Sequence, residues 1–166
     1  SYENAALPDP HDPPGMICAN WVDLYPVSSG GGAGYVYYYH DTANHRFVIE
    51  YDSVRYYWSN DRDKFEVIIY DTTVATNSGD NAVLVQYMTA NNYSGATLGI
   101  EDPGEAVAIQ GFYNGDYHRA CAPIAPGRAI LYTTDLPFST GVADEVGSAG
   151  VPVRLALGVF PNPLRS

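Results

Sequence analysis

The chain has few basic residues, with 8 Lys and Arg against 19 Asp and Glu, and its formal net charge is −11 over 166 residues. Proteins that bind nucleic acid need a basic surface to neutralise phosphates, and anionic membranes attract basic segments for the same reason. The composition therefore argues against both partners. Cations, neutral glycans and other proteins remain as candidate partners.

Long apolar runs are also absent, since no stretch approaches the roughly 20 residues that a membrane-spanning helix needs. Only 16% of the residues are charged, below the usual share of about 25%, whereas 46% are hydrophobic. This composition predicts one domain with a full apolar core. Its polar surface must come largely from Ser, Thr, Asn, Gly and the 15 tyrosines.

Cysteine is rare, and the two that occur, Cys18 and Cys121, lack the spacing of metal ligands. If the protein is exported, a single long-range disulfide between them is the simplest prediction. The alternative is that both are buried thiols that act as small apolar residues.

Recognisable catalytic motifs are missing as well, including Gly-x-Ser-x-Gly and the lysine of a phosphate-binding loop. His40 and His45 flank one turn, but a metal site there needs a third ligand. Three acidic pairs are Ca²⁺ candidates or else solvated turn acids: Asp9/Asp12, Asp61/Asp63 and Asp102/Glu105. We predict no catalytic residue, no resident cofactor and no metal site, with Ca²⁺ as the one candidate ion.

What the chain does contain is a repeated strand pattern, clearest over residues 46–58. Phe47, Ile49 and Tyr51 alternate with Val48, Glu50 and Asp52, which is the period of a half-buried strand. Four such segments follow one another and predict a meander: 35–39, 46–58, 64–70 and 82–88. Further strands are predicted at 16–24, 96–101, 107–113, 128–133 and 151–159. The whole predicts an all-β protein, an antiparallel β-sandwich of jelly-roll-like type.

The predicted layout has a proline-rich N-terminal arm at residues 1–15 and a sandwich domain at 16–135. A C-terminal extension at 136–159 carries a further strand. An aromatic set is prominent in the sandwich and is called the aromatic platform below: Trp21, Tyr37, Tyr39, Tyr56, Tyr57 and Trp58. Such rings pack a sheet face, bind glycans or hold a neighbouring subunit, and the sequence leaves these three roles open.

Three stretches together resemble a known class of module: residues 15–24, residues 37–54 with 65–70, and residues 96–102 with 127–130. They are similar to β-sandwich modules of large secreted proteins from Bacteroidota-like bacteria, which often accompany proteases or adhesion domains. The resemblance covers roughly residues 7–135. It implies an extracellular or cell-surface location and no catalytic residues.

The sequence Phe160-Pro-Asn-Pro163 resembles the start of the C-terminal sorting domain of type IX secretion cargo. The resemblance makes residues 160–166 a linker remnant toward such a domain. Modules of this class carry further strands before the Leu7 region, where only six residues occur in this chain. They also lack an equivalent of the strand predicted at 151–159.

The missing leading strands and the additional strand at 151–159 together predict self-assembly by strand complementation into a homo-oligomer or polymer. The inserted face of the donated strand would be formed by Val153, Leu155, Leu157 and Val159, and the alternative is that this strand folds back onto its own sheet.

Bacteroidota-type O-glycosylation patterns occur at Thr42, Ser53 and Thr72, and Asn92 begins an N-glycosylation sequon. Asp-Thr pairs are also ordinary turn sequences.

These observations predict a non-enzymatic, secreted structural or adhesive subunit that can assemble into filaments. The alternative is a carbohydrate-binding module of a larger secreted enzyme or adhesin. A hydrolase, or an accessory domain of one, is the third and weakest interpretation.

Overall fold

The computed structural model describes residues 2–26, 33–74, 76–91 and 94–135. Within those ranges the chain forms ten β-strands in two antiparallel sheets and no α-helix. The predicted all-β sandwich is therefore confirmed. Among the described residues, no helix has the length and apolar character needed to cross a membrane.

The strands follow one another along the chain with short connections. They are β1 (Ile17–Trp21), β2 (Leu24–Tyr25), β3 (Tyr35–Asp41), β4 (Arg46–Tyr56), β5 (Arg62–Tyr70), β6 (Val83–Tyr87), β7 (Thr97–Glu101), β8 (Ala108–Tyr113), β9 (Asp116–Tyr117) and β10 (Arg128–Tyr132). A 3-10 turn, Thr42–Asn44, joins β3 to β4.

The larger sheet has the order β10-β6-β5-β4-β2, and β3 also pairs with β4. Strands β3 to β6 form the predicted meander. β4 pairs with β3 as far as Asp52 and with β2 from Arg55 onward. Ser53 lies between these two parts with a φ of 55°, at an irregularity in the β4–β5 register. This bulge separates the two pairings on one edge of β4.

The smaller sheet has the order β1-β7-β8-β9. The single strand expected over residues 16–24 is wrong, because the structure divides it between the two sheets. β1 pairs with β7, whereas β2 pairs with β4 of the larger sheet. A tight turn, in which the amide of Leu24 donates to the carbonyl of Val22 at 2.7 Å, carries the chain across.

The core lies between the sheets and is dominated by large rings from the meander. Tyr56, Phe65 and Tyr87 are each at most 2% exposed, and they pack with Leu98 and Phe112 of the smaller sheet. The hydroxyl of Tyr87 donates to the carbonyl of Ala19 at 2.7 Å and so links the two layers.

The N-terminal arm covers the outer face of the smaller sheet. The amide of Leu7 donates to Gln110 Oε1 and the amide of Asp9 donates to Glu101 Oε2, both at 2.7 Å. The Leu7 side chain is only 9% exposed and lies over Gly99, where a Cβ atom would fall 2.9 Å from Leu7 Cδ1. The arm is therefore bound to its own domain.

Candidate functional site

The most exposed apolar element is β3. Each residue from Tyr35 to Tyr39 is between 43% and 79% exposed, and Tyr38 is the most exposed of them. Among the described strands, β3 pairs with β4 alone, so no described strand occupies its other edge. Such edges usually carry charges, Pro or bulges that prevent strand addition. Residues 35–39 carry neither Pro nor a charged side chain.

The register of the β3–β4 pair assigns these rings to two faces. Tyr35, Tyr37 and Tyr39 lie opposite Asp52, Glu50 and Val48, and so share the face of the larger sheet that points away from the core. Tyr38 points to the other face, where its ring stacks on Phe47 at 6.0 Å between centroids. The sequence run of tyrosines therefore does not form a single surface.

The predicted aromatic platform is not one surface either, and its assignment of Tyr56 as a binding residue is wrong. Tyr56 is fully buried, with its hydroxyl donating to Asp63 and accepting from Asn20 Nδ2 at 3.0 Å. Burial raises the pKa of the Tyr56 phenol, and the hydrogen bond to Asp63 adds to the rise. Tyr56 is thus a structural residue.

The remaining platform residues are spread over the domain. Tyr57 and Trp58 are exposed at the turn after β4, and Tyr57 follows Glu50, the partner of Tyr37, by seven residues. At about 3.3 Å per strand residue, Tyr57 therefore lies some 23 Å along β4 from the position of Tyr37. Trp21 is half-buried at the end of β1. Only Tyr37 and Tyr39 lie side by side on one face, together with Tyr35, which the platform omitted.

A second candidate site is an open groove of about 500 Å³ beside β1, called the β1 groove below. Its walls are mostly apolar, and its deep side is formed by Tyr51, Phe65 and Val67 from the inner face of the larger sheet. The Tyr51 and Phe65 rings stack at 4.4 Å and an interplanar angle of 12°. Its other side is β1 itself, including Ile17, which is 38% exposed.

The groove lies along an outer edge of the smaller sheet. β1 is the first strand in the order of that sheet, and among the described strands it pairs only with β7. The Ala19 carbonyl of β1 is engaged by the Tyr87 hydroxyl. An apolar groove beside the outermost strand of a sheet is the arrangement that accepts an added strand, because the backbone supplies hydrogen bonds and the groove receives alternate side chains. The sequence predicted an open edge but not which strand carries it.

The predicted Cys18–Cys121 disulfide is absent from the structure, in which both cysteines are free and buried. Cys18 is in β1, whereas the Cys121 side chain packs against Gly111 of β8, with β7 between those two strands. Burial raises the pKa of the Cys18 thiol to about 12, and the carboxylates of Glu101 and Asp12 contribute.

All three acidic pairs have hydrogen-bond partners, and in the first of them Asp9 Oδ1 accepts from the His11 amide at 3.0 Å. Asp63 is fully buried and accepts from Thr89 Oγ1 at 2.8 Å and from the Asn91 amide at 3.0 Å. Asp102 caps the β7–β8 turn, and hydrogen bonds from the amides of Val107, Ala106 and Gly104 lower its pKa. Within the described ranges, no group of three or more His, Cys, Asp or Glu side chains is arranged to hold a metal ion.

The glycosylation candidates Thr42, Ser53 and Thr72 are all exposed, in the β3–β4 turn, at the β4 bulge and in the turn after β5. Asn92 lies outside the described residues. So do the four residues of the predicted assembly strand, Val153, Leu155, Leu157 and Val159, and the Phe160-Pro-Asn-Pro163 sequence.

Comparisons with known proteins give no relative for this chain: no family model, no curated protein and no solved structure matches it.

Proposed function

We propose that the protein is a non-enzymatic structural subunit, extracellular or at the cell surface, that assembles with copies of itself by strand complementation. The observation that carries this proposal is the β1 groove, which combines a sheet edge that no described strand extends with an apolar channel of about 500 Å³. A free edge is a site for strand addition unless it is protected or filled. A neighbour that fills the groove adds backbone hydrogen bonds and removes the exposed apolar area of Ile17 from water.

The donor is the segment 151–159 of a second copy. Its sequence places Val153, Leu155, Leu157 and Val159 on one face of a strand, with Arg154 on the other. The described chain ends after β10, and residues 136–150 span at most about 50 Å when fully extended. That length suffices to reach a neighbouring domain. A head-to-tail contact of this kind grows a filament when it does not close into a ring.

Residues 151–159 have one competing location on their own domain. Ile68, Leu84 and Ala129 form a small cluster on the outer face of the larger sheet, and they are 1%, 6% and 3% exposed. None of the described strands packs over that face. A strand that folds back would cover this cluster instead of a neighbour's groove.

Cysteine crosslinking separates the two locations. Ile17→Cys labels the β1 groove and Leu155→Cys labels the donor, so mixing the two single variants and oxidising them should give a covalent heterodimer. Arg154→Cys, on the opposite face of the donor strand, is the matched control and should crosslink far less. Deletion of residues 151–166 should convert polymers into monomers or aggregates on light scattering. A particle of unchanged size after the deletion would disprove strand donation.

Carbohydrate binding is a second candidate, favoured by the exposure of the β3 tyrosines. Tyr35 and Tyr37 lie 5.8 Å apart with an interplanar angle of 33°, so they form a tilted surface against which a sugar ring can pack. Titration of the protein with neutral oligosaccharides, followed by tyrosine fluorescence, tests this candidate. Tyr35→Ala and Tyr37→Ala should both weaken the response, while Tyr57→Ala should leave it unchanged.

A further inference from the structure

A separate cavity of about 210 Å³ opens on the outer face of the larger sheet, between β3, β4 and β5. It is called the acidic cavity below. Tyr37, Tyr38 and Tyr39 line it from β3, and Val48 and Ile68 contribute its apolar surface. The polar side chains that line it are Asp41, Arg46, Glu50 and Glu66.

The acidic cavity carries an excess of negative charge. Arg46 is already engaged, because its Nε lies 2.9 Å from Asp41 Oδ2. Lys64, next to the cavity, is likewise engaged, with its Nζ 2.7 Å from Glu50 Oε1 and 3.2 Å from Asp52 Oδ1.

Glu66 forms no ion pair with any basic side chain in the part of the chain that the structure describes. Its hydrogen bond from Gln86 Nε2 is a long one, at 3.4 Å. In all, the carboxylates of Asp41, Glu50 and Glu66 line the cavity beside the single guanidinium group of Arg46.

The position of Glu66 is costly for the fold. Glu66 is only 7% exposed and lies directly opposite Glu50 in the β4–β5 register. Like charges in direct cross-strand positions destabilise a sheet, and a buried carboxylate without a cation adds a desolvation cost. Apolar packing does not require a glutamate at this position, because its neighbours on the same face are Val48 and Ile68 on one side and the polar Lys64, Glu50 and Gln86 on the other. A ligand that supplies positive charge would account for it.

We propose that the acidic cavity binds an organic cation, an ammonium or guanidinium group, between the Glu50 and Glu66 carboxylates and the rings of Tyr37 and Tyr39. The carboxylates accept charge-assisted hydrogen bonds from the cation, and the aromatic faces attract it through their quadrupoles. The cation also relieves the repulsion between the two glutamates. A neutral sugar provides no such charge, and an anion is repelled.

The size of the cavity limits the ligand to one small head group. A volume near 210 Å³ is below the range of about 300–1,000 Å³ that holds a drug-sized molecule. An alkylammonium or alkylguanidinium group with a short stem matches it. Such a group occurs on free amines, on amino sugars and on the Lys and Arg side chains of proteins.

Calorimetric titration of the full chain tests the proposal with n-butylguanidinium and n-butylammonium as probes and 1-butanol as their neutral counterpart. Both cations should bind and the alcohol should not. Glu66→Gln should weaken binding at least tenfold, and Tyr37→Leu severalfold. Tyr57→Leu is the matched control, since Tyr57 is exposed in the turn after β4 and does not line the cavity, and it should leave binding unchanged.

Failure of both cations to bind at millimolar concentration would overturn the proposal, as would equal binding by 1-butanol or by the Glu66→Gln variant. Ca²⁺ that binds more tightly than either organic cation would overturn it too. The Glu66→Gln variant is close in shape to the natural side chain, so it keeps the test decisive even if Tyr37→Leu fails to fold. Glucosamine and Nα-acetyl-lysine methylamide, compared side by side, distinguish an amino-sugar source from a protein side chain.

Discussion

The phenol of Tyr56 donates a hydrogen bond to the carboxylate of Asp63, and neither side chain has any exposed area. The pair lies at the centre of a network that joins both sheets. Asn20 of β1 donates to the Tyr56 hydroxyl, while Thr89 and the Asn91 amide, both beyond β6, donate to Asp63. A buried charge is stable only when it is hydrogen-bonded, so this network holds the β4–β5 turn against the smaller sheet.

Tyr56→Phe should therefore be strongly destabilising. It removes one donor from the buried Asp63 carboxylate and leaves Asn20 Nδ2 without its acceptor. Hydrogen bonds to charged groups contribute about 1.5–3 kcal/mol, and the free energy of unfolding in urea should fall by about that amount. Tyr57→Phe is the matched control because Tyr57 is 62% exposed, and it should change stability by less than about 0.5 kcal/mol. Equal effects of the two variants would contradict the structural role of the network.

Local sequence pattern predicted most of the strands and the order of the meander, but not the register between strands. The alternation of Phe47, Ile49 and Tyr51 with Val48 and Glu50 correctly predicted strand β4, because period two is a property of the strand alone. The register of β4 against β5, which brings Glu50 opposite Glu66, depends on pairing between strands and is not visible in either segment.

The incorrect predictions have the same origin. Tyr56 was assigned to an exposed platform because its buried partner, Asp63, becomes a neighbour only after the β4–β5 turn forms. The disulfide prediction required Cys18 and Cys121 to meet, whereas in the folded chain both are free and the Cys121 side chain packs against Gly111. The division of residues 16–24 between two sheets follows from the packing of Val22 into the core, which sequence pattern alone does not show.

Gly34 provides a sharp test of the contact between the start of β3 and the β4 bulge. Its φ is +88°, and an added Cβ would lie 2.2 Å from the Ser53 carbonyl oxygen and 2.6 Å from Val54 Cα. Gly34→Ala should lower the free energy of unfolding by about 2–4 kcal/mol, because it combines an unfavourable backbone conformation with a backbone clash.

Gly79→Ala is the control for that substitution. Gly79 has a similar φ of +87° but no atom within 4 Å of the added Cβ, so its cost should be only about 1–2 kcal/mol. Thermal or urea unfolding of both variants isolates the steric contribution. If the two substitutions cost the same, the close approach of Gly34 to the bulge is incorrect.

The two thiols should be hidden in the folded protein and reactive in the unfolded one. Under non-reducing conditions, a thiol reagent should react slowly with native protein and should titrate two thiols per chain in denaturant. The raised pKa of Cys18, about 12 against an ordinary value of 9.0, adds a pH dependence. Above pH 9 the thiol of the unfolded chain loses its proton while the buried thiol keeps it. The free energy of unfolding should therefore fall as the pH rises from about 9 to 12. A count of zero thiols in denaturant would restore the disulfide.

Glu66→Gln should stabilise the free protein even though it removes the proposed cation site. Burial raises the pKa of the Glu66 carboxyl above its ordinary value of 4.5, and the charge of Glu50 raises it further, while Lys64 and Arg46 oppose the rise. The folded state therefore prefers the protonated form, and the charged form weakens folding once the pH exceeds the unfolded pKa.

At pH 7 the glutamine variant should gain about 0.2–1 kcal/mol in the free energy of unfolding, the size of a direct cross-strand pair interaction, because it removes the like charge opposite Glu50. The gain should disappear below pH 4.5, where the natural glutamate is protonated as well. Glu105→Gln, in the β7–β8 turn, serves as the control for removal of one negative charge and should show little change across this range. A Glu66→Gln variant that is less stable than the natural chain at pH 7 would show that the carboxylate supports the fold. A bound cation would then no longer be needed to explain why a glutamate occupies this position.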